Sequence, residues 1–346
     1  MSSSEDPSPV TGQTAKQREP SRTGSGVLVD RLKRATLSYL GVGGMLLIVS
    51  IYLSVTQDQF ATYRNLLIIL ETNAVTLVAA VGLTFVLLVG GIDLSLGATI
   101  ALSGTCLWEL VRAGLPLGVG IAVVIVAAGL VGTLINGVLI GKVGLNFLVV
   151  TLGTASLFRG IALVRTGGQS QSMYNVNSLR SLGTDKIFGV SVLVVVALGV
   201  WLLGIVVLRY TGYGRMVYAV GGNPEAARVA GINVKGVRVS VFGICALLGG
   251  VAAVIDLARL TSASPTAATG IELTAGAAVL LGGTSFAGGR GTLLGTLLGV
   301  IFLGVLSNGI TLVGVSAFWQ GIVSGIVLIA AVGLDRLRTY RKAEVA

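Results

Sequence analysis

The sequence lacks histidine entirely and has only two cysteines among its 346 residues. The absence of histidine excludes the commonest general base, the Ser-His-Asp and Cys-His catalytic arrangements, and the commonest zinc ligand. Cys106 and Cys245 both lie in apolar stretches, which indicates neither a disulfide framework nor a metal site. An enzyme is therefore the least favoured functional class for this chain.

Charged residues are also scarce. They make up 11% of the chain, whereas 53% of its residues are hydrophobic; soluble domains are about one quarter charged. The polar surface needed to cover a soluble globule of this size is missing, so the sequence predicts an integral membrane protein. The net charge of +10 is spread thinly along the chain and does not predict a nucleic-acid-binding surface.

Stretches without charged residues locate the candidate membrane spans. A charge at the bilayer centre costs at least ~2.5 kcal/mol, and a spanning helix needs about 20 apolar residues. The last stretch, 291–334, is long enough for two helices with a turn near residues 313–316. The sequence therefore predicts an all-α polytopic membrane protein with about ten transmembrane helices, some of them short or broken. The stretches are 35–57, 72–92, 94–108, 113–141, 143–164 (interrupted only by Arg159), 187–208, 239–255, 273–289 and 291–334.

Basic residues concentrate in the amino-terminal tail, in the loop at 209–238 and in the carboxyl-terminal tail. Because cytoplasmic loops are enriched in lysine and arginine, these three regions, and with them both termini, are predicted to be cytoplasmic. Residues 1–34 have no apolar signal-peptide core and are predicted to be a disordered tail. A transmembrane domain at 35–335 and a short tail at 336–346 complete the predicted organisation.

Two glycine-rich segments interrupt the apolar pattern beside short spans. One runs from Val89 to Gly97 and the other from Leu281 to Thr292. Short, glycine-interrupted segments at matching places in two halves are typical of broken helices that line a transport pathway. The alternative is a tight cytoplasmic turn, capped by Asp93 in the first segment and by Thr292 in the second.

Polar and charged side chains within or beside the spans are the candidates for lining or gating a pathway, because such residues face a cavity or a partner rather than lipid. Arg159 is the most deeply placed charge. It either braces the bundle by pairing with a carboxylate or offers several donors to a polyhydroxylated solute. The candidates are Glu71, Asn73, Asp93, Ser95, Thr151, Arg159, Glu272, Thr284, Ser285 and Asn308.

The chain contains neither a complete G-x-x-x-x-G-K-[ST] phosphate-binding loop nor a complete G-x-G-x-x-G motif. Instead, the loop at 209–238 contains a short predicted helix with both ends specified. Asn223 is a good N-cap, Pro224 is a favoured first helical residue, and Gly231 is placed to end the helix in a left-handed conformation. Such a capped helix favours docking to a partner; an ordinary interfacial connector is the alternative.

Several motifs occur in order along the membrane part. They include Gly-Gly-Ile-Asp-Leu-Ser-Leu-Gly at 90–97, Val-Thr-Leu-Gly at 150–153, Thr-Gly-Gly at 166–168, Glu-Ala-Ala at 225–227 with Gly231 following, and Ser-Asn-Gly at 307–309. In this order they resemble the permease subunits of bacterial ABC importers for ribose, xylose and related monosaccharides. The resemblance covers about residues 40–335, nearly the whole membrane part.

The resemblance implies a fold like that of type II ABC importer permeases, working by alternating access in the bacterial cytoplasmic membrane. It implies a second permease copy forming a homodimer and a cytoplasmic ABC ATPase that binds ATP and Mg²⁺. An extracytoplasmic sugar-binding protein would face the loops at 165–186 and 256–272. This chain would carry no cofactor. The residues receiving the ATPase stroke would be Asn223, Pro224, Glu225, Ala226, Ala227 and Gly231.

The chain departs from the pattern of that family at three places. Asn146 stands where proline is usual, Thr274 and Gly276 replace an aspartate and an isoleucine, and Thr311 replaces an asparagine. These positions lie near the external mouth or the pathway, so they bear on which sugar is carried.

Two other functions compete with sugar import. The first is the same class of importer acting on branched-chain amino acids or nucleosides. The second is a secondary transporter that uses Glu71, Asp93 or Glu272 as a proton-coupling carboxylate. The predicted docking helix favours an importer, because a self-sufficient symporter needs no docking site.

Overall fold

A computed structural model describes residues 41–316 and, beyond them, residues 319, 321–323, 325–327, 329–330 and 333. The predicted tails at 1–34 and 336–346 lie outside the described residues, as does much of the second helix predicted within 291–334.

The described residues are mostly helical, because a helix satisfies its own backbone hydrogen bonds in an apolar environment. A π-helical segment, Thr133–Val143, directly follows the helix Leu117–Gly132. Short antiparallel strands pair β1 (Gln171–Ser172) with β4 (Ser262–Ala263) and β2 (Lys186–Ile187) with β3 (Val190–Ser191). The helices are α1 (Gly41–Thr56), α2 (Tyr63–Leu88), α3 (Leu96–Arg112), α4 (Leu117–Gly132), α5 (Phe147–Thr166), α6 (Asn177–Thr184), α7 (Val192–Tyr210), α8 (Gly212–Gly222), α9 (Pro224–Val229), α10 (Val234–Leu260), α11 (Ile271–Leu281) and α12 (Leu293–Leu312).

Six helical segments within the described residues are long and apolar enough to cross a membrane, by length and composition. Two shorter apolar helices, α1 and α11, accompany them. These helices support the predicted all-α polytopic membrane protein, whereas the predicted count of about ten spans is not confirmed. The six segments are Tyr63–Leu88, Leu117–Val143, Phe147–Thr166, Val192–Tyr210, Val234–Leu260 and Leu293–Leu312.

Several helices extend beyond the charge-free stretches that predicted them. Helix α2 begins at Tyr63 rather than at residue 72, and α10 continues through Asp256 and Arg259. Arg259 Nη2 lies 3.5 Å from Asp256 Oδ1, less than one turn away on the same helix. Opposite charges so close together offset each other near a helix end, so a charge does not mark where these helices stop.

Both glycine-rich segments interrupt the helices, as the broken-helix and the tight-turn predictions both require. Residues 89–95 are non-helical, with Gly90 at φ 78°, and residues 282–292 are non-helical, with Gly283 at φ 89°. Glycine adopts such positive φ values without steric cost. The second break leaves α11 with 11 residues. At 1.5 Å per residue this helix is about 16 Å long, roughly half of a ~30 Å hydrocarbon core.

Helix α10 is the central packing element and lies against α2, α3 and α4. Its Phe242 and Cys245 side chains are buried. Opposite Cys245, a Cβ atom added to Gly82 of α2 would lie 3.2 Å from the Cys245 Cα atom. Small residues therefore allow close backbone approach here, as is common between membrane helices.

Helices α11 and α12 approach so closely that backbone touches backbone. A methyl group added to Gly295 would overlap the carbonyl oxygen of Gly282, and one added to Gly299 would overlap that of Ala278. Because Gly295 and Gly299 are four residues apart, they lie on one face of α12. This face sets the distance between the two helices that flank the second break.

We expect Gly299→Ala to destabilise the protein by about 1–3 kcal/mol, because its methyl group would push α11 and α12 apart. Gly276→Ala on α11 is the matched control, since a methyl group there meets no described atom within 4 Å. Thermal unfolding in detergent, read by size-exclusion chromatography, compares both variants with the parent. Equal stability of Gly299→Ala and the parent would contradict the close packing.

Candidate functional site

The first helix break holds a buried carboxylate. Asp93 and Ser95, in the segment before α3, are each 1% exposed. Asp93 Oδ1 accepts hydrogen bonds from the Ser95 backbone N–H at 2.9 Å and from the Ser95 hydroxyl at 2.5 Å. In this Asx-type turn the side chain supplies a partner that the interrupted helix cannot.

Side chains from neighbouring helices complete this arrangement. Asn136, in the π-helical segment, donates from Nδ2 to Ser95 Oγ at 2.9 Å and to Asp93 Oδ1 at 3.3 Å. Thr154 of α5 donates its hydroxyl to Asn136 Oδ1 at 2.7 Å. The Cys245 side chain of α10 lies next to the Asp93 carboxylate. We call Asp93, Ser95, Asn136, Thr154 and Cys245 the Asp93 network; it ties three helical elements to the first break.

All five residues of the Asp93 network are buried, so in this conformation none of them lines an open surface. A fully satisfied polar network of this kind fixes a single backbone arrangement. Sequence reasoning missed Asn136 and Thr154. The available signal was one amide in the charge-free stretch 113–141, since a polar group inside a span requires a partner.

Glu272 lies in the first turn of α11 and faces the start of α3. A Cβ atom added to Gly97 would overlap Glu272 Oε2, so the carboxylate and the backbone of α3 are in direct contact. Oε2 is buried and has no hydrogen-bond partner among the described residues. The starts of α3 and α11, which carry the positive ends of two helix dipoles, therefore share one carboxylate.

Arg159 braces the loop that precedes α11. Its Nη1 donates to the carbonyl oxygens of Pro265 at 2.7 Å and of Ala267 at 3.0 Å. Its charge also interacts with that of Glu272. Arg159 thus holds this loop through carbonyl oxygens; both of its predicted roles, bracing by pairing with a carboxylate and donating to a solute, stay predictions.

Arg159 and Glu272 are both partly buried, and we call them the mid-bundle site. Glu272 starts a half-length helix, and Arg159 lies in the second half of the 20-residue α5, several residues before its end. The adjoining loop, 261–270, is rich in serine and threonine and partly exposed at most positions. Hydroxyl, carboxylate and guanidinium groups placed together in this way can hydrogen-bond a polyhydroxylated solute.

Asn73 and Asn308 lie elsewhere, where the first half of α2 meets the second half of α12. Asn65 and Asn308 exchange two amide hydrogen bonds, at 3.0 and 2.8 Å. Asn73 donates within its own helix and packs on Gly304, and Glu71 is half-buried nearby in sequence. Sequence reasoning missed Asn65, whose partner is distant along the chain.

The other predicted pathway residues lie apart from these groups. Thr151 is buried and its hydroxyl donates within its own helix. Thr284 is buried against Gly291 in the second break, and Ser285 Oγ accepts a hydrogen bond from the Ala287 N–H. The structure therefore does not bring the predicted pathway residues together into one cluster.

Helix α9 has the local structure predicted from its sequence. The Asn223 side chain accepts hydrogen bonds from the N–H groups of Glu225 and Ala226, each at 3.0 Å. Pro224 is the first helical residue, and Gly231 follows with φ 82°. The helix is thus specified by its own caps, as a preformed docking element would be.

The surface of α9 is divided between a buried and an exposed side. Ala227 is buried against the bundle, whereas Val229 is 90% exposed. Glu225 and Arg228 are both exposed and form an ion pair at 3.2 Å. An exposed pair of this kind adds little stability, so these charges remain available for contacts with another molecule.

A cavity of about 520 Å³ lies between α3, α4 and α5. Its walls are mainly apolar, and the ion pair between Arg165 Nε and Glu109 Oε1, at 2.7 Å, stands at its edge. The predicted pathway residues do not line it. Across the described part of the chain, no group of three or more histidine, cysteine or carboxylate residues could hold a metal ion.

We expect Thr154→Val to destabilise the protein by about 1–3 kcal/mol, because the buried Asn136 Oδ1 loses its donor. Thr105→Val is the matched control: Thr105 is also buried, but its hydroxyl donates within its own helix to Ala101. Both variants are compared by thermal unfolding in the same detergent. Equal losses in the two variants would show that the Asp93 network contributes nothing specific.

The similarity to known proteins extends over most of the chain. The D-allose transport system permease protein AlsC of Escherichia coli K12 is 37% identical over 292 residues, 84% of this chain and 89% of that protein. The ribose import permease protein RbsC of the same strain is 39% identical over 296 residues, covering 84% and 91%. The L-arabinose ABC transporter permease protein AraH of Azospirillum brasilense is 34% identical over 310 residues, covering 87% and 88%. No solved structure matches this chain.

Residues 65–332 also match the family model described as the permease component of the branched-chain amino acid transport system. The match covers well over half of the chain and includes both helix breaks and α9. The chain belongs to this family of ABC transporter permeases.

Proposed function

We propose that this chain is the transmembrane permease of an ATP-driven importer for a monosaccharide, a pentose or hexose of the ribose or xylose kind. The observation that carries the proposal is the similarity to permeases named for ribose, allose and arabinose, which extends over 84–87% of the chain. The mid-bundle site supports it, because the Arg159 guanidinium and the Glu272 carboxylate adjoin a partly exposed loop that is rich in hydroxyl groups.

In this proposal ATP is hydrolysed by a separate cytoplasmic ABC ATPase, which binds ATP and Mg²⁺, and this chain carries no cofactor. The ATPase docks on α9, whose caps preform the helix and whose outer side exposes Glu225 and Val229. The coupling residues are Asn223, Pro224, Glu225, Ala226, Ala227 and Gly231.

The solute crosses by alternating access around the mid-bundle site. Broken helices whose N-terminal ends meet inside a bundle are the usual construction of such sites, and α3 and α11 meet at Glu272 and Gly97. The candidates Asp93 and Ser95 act in this proposal by fixing the first break. Asn73 and Asn308 lie toward the end of the bundle opposite α9, where a gate is needed.

That opposite end is the proposed docking face of an extracytoplasmic sugar-binding protein. The loops expected to face this protein, 165–186 and 256–272, are joined by the pairing of β1 with β4. Gln171 lies opposite Ala263 and Ser172 opposite Ser262 in this pair. The pairing supports a single surface rather than two independent loops.

We further infer that the permease is a homodimer of ten-span subunits in the bacterial cytoplasmic membrane, with both termini and α9 on the cytoplasmic side. Exposed apolar side chains on α1, α4, α5 and α7 support contact with lipid and with a second copy. The concentration of basic residues in the two tails and in the α9 loop supports the orientation.

Branched-chain amino acids are the second candidate substrate, favoured by the description of the matching family. A carboxylate-coupled secondary transporter is less well supported. Asp93 is buried and held by hydrogen bonds, and an exposed docking helix has no purpose in a self-sufficient symporter.

The test is uptake into proteoliposomes that hold this chain with its ATPase, in the presence of the binding protein. We expect ATP-dependent accumulation of labelled ribose, xylose, arabinose or allose, and none by vesicles with this chain alone. Labelled leucine is tested in parallel, and unlabelled leucine and uridine serve as competitors. Accumulation of leucine but of no sugar would show that the substrate is an amino acid instead of a monosaccharide. Accumulation of any solute without the ATPase would contradict ATP-driven import.

We expect Glu225→Lys to abolish uptake and the stimulation of ATP hydrolysis, because the charge reversal stands on the proposed docking surface. Membrane insertion should be unchanged, since Glu225 is exposed. Asp58→Lys is the matched control for membrane insertion and for stimulation of ATP hydrolysis: Asp58 is also an exposed acid, but it lies in the loop before α2, away from α9. Normal uptake by Glu225→Lys would remove the coupling assignment.

A further inference from the structure

One residue joins α8 to α9. The backbone N–H of Asn223 donates to the Ala219 carbonyl oxygen at the end of α8, at 3.1 Å. Its side chain caps α9 through the N–H groups of Glu225 and Ala226. Because Asn223 caps the end of α8 and the start of α9, the two helices are joined directly at this residue.

The end of α8 rests directly on backbone from both helix breaks. A methyl group added to Gly221 would overlap the carbonyl oxygen of Leu88, at the end of α2, and lie 2.5 Å from the Gly289 backbone nitrogen. That nitrogen itself donates to the Leu88 carbonyl oxygen at 2.8 Å. Only a residue without a side chain fits at Gly221.

A second glycine closes the contact from the other side. A methyl group added to Gly288 would lie 2.9 Å from the Gly90 nitrogen and 3.0 Å from the Gly221 carbonyl oxygen. Three backbone segments therefore meet without intervening side chains: the end of α2, the end of α8, and the second break. We call Leu88, Gly90, Gly221, Gly288 and Gly289 the glycine junction.

The hydroxyl of Tyr218 adds a second connection between α8 and the second break. It donates to the Gly291 carbonyl oxygen at 2.9 Å. Tyr218 and Gly221 are three residues apart and so lie on one side of α8. This side of α8 therefore contacts residues 288–291 at two points, through Gly221 and through the Tyr218 hydroxyl.

We propose that the glycine junction passes a displacement of α9 to both helix breaks at once, with Gly221 as the positioning residue. The inference rests on the proposed function, because the displacement is the one that a docked ATPase imposes on α9. Close-packed interiors transmit strain, and contacts between backbones contain no flexible side chain to absorb it. The first break leads to the Asp93 network and the second joins α11 to α12, so both halves of the pathway move together.

The test compares Gly221→Ala with Gly222→Ala in the complete importer. Gly222 is the adjacent residue on α8, and a methyl group there meets no described atom within 4 Å. We expect Gly221→Ala to retain the bound ATPase and its basal hydrolysis, while ATP consumed per sugar transported rises at least about tenfold. Gly222→Ala should keep the parent ratio. A parent-like ratio in Gly221→Ala, or equal increases in both variants, would overturn the proposal.

Amide hydrogen exchange gives a readout independent of transport. Docking of the ATPase should change the exchange of residues 88–95 and 284–291 in the parent and in Gly222→Ala, but not in Gly221→Ala. The same change in Gly221→Ala would overturn the proposal. If the parent complex shows this change without any sugar uptake, the proposed substrate fails while the junction stands.

Tyr218→Phe covers the case in which Gly221→Ala does not assemble. It removes the hydroxyl bond to Gly291 and adds no volume. We expect ATP consumed per sugar to rise by about twofold to fivefold in this variant. The proposal is overturned if Gly221→Ala fails to assemble and Tyr218→Phe leaves this ratio unchanged. The glycine junction would then be needed only for folding.

Discussion

Two interruptions of helical hydrogen bonding inside an apolar bundle are the constraint on which the rest of the structure depends. Backbone groups freed by a break cost several kcal/mol each if nothing pairs with them in an apolar medium. At the first break Asp93 and Ser95 supply a side-chain partner. At the second, the Gly289 N–H reaches across to the Leu88 carbonyl oxygen, so the two breaks partly satisfy each other.

The features that the sequence predicts correctly have local causes. The two breaks follow from glycine clusters, and α9 follows from Asn223, Pro224 and Gly231, because conformational preference and capping act within a few residues. The pairings that hold the site together have no such signature. Asn136 lies 43 residues from Asp93 along the chain, and nothing in either neighbourhood indicates the other.

The helix bounds show the same limit. The charge-free stretches locate the bundle because isolated charges are costly in lipid, but α10 continues through Asp256 and Arg259, whose charges offset each other. A rule based on single charges does not detect such pairs.

The polar candidate residues fall into two groups that lie apart. The Asp93 network is buried, whereas Glu272 and Arg159 adjoin a partly exposed loop. A list of candidates chosen by polarity from the sequence does not separate the buried group from the partly exposed one.

The paired amides of Asn65 and Asn308 hold α2 to α12 without any formal charge. Water can replace both hydrogen bonds when the helices part, so their separation leaves no stranded ion. A membrane voltage acts only on charge that moves through the field, at about 2.3 kcal/mol per elementary charge and 100 mV. Because neither amide carries a charge or titrates, membrane voltage and pH do not act directly on this pairing.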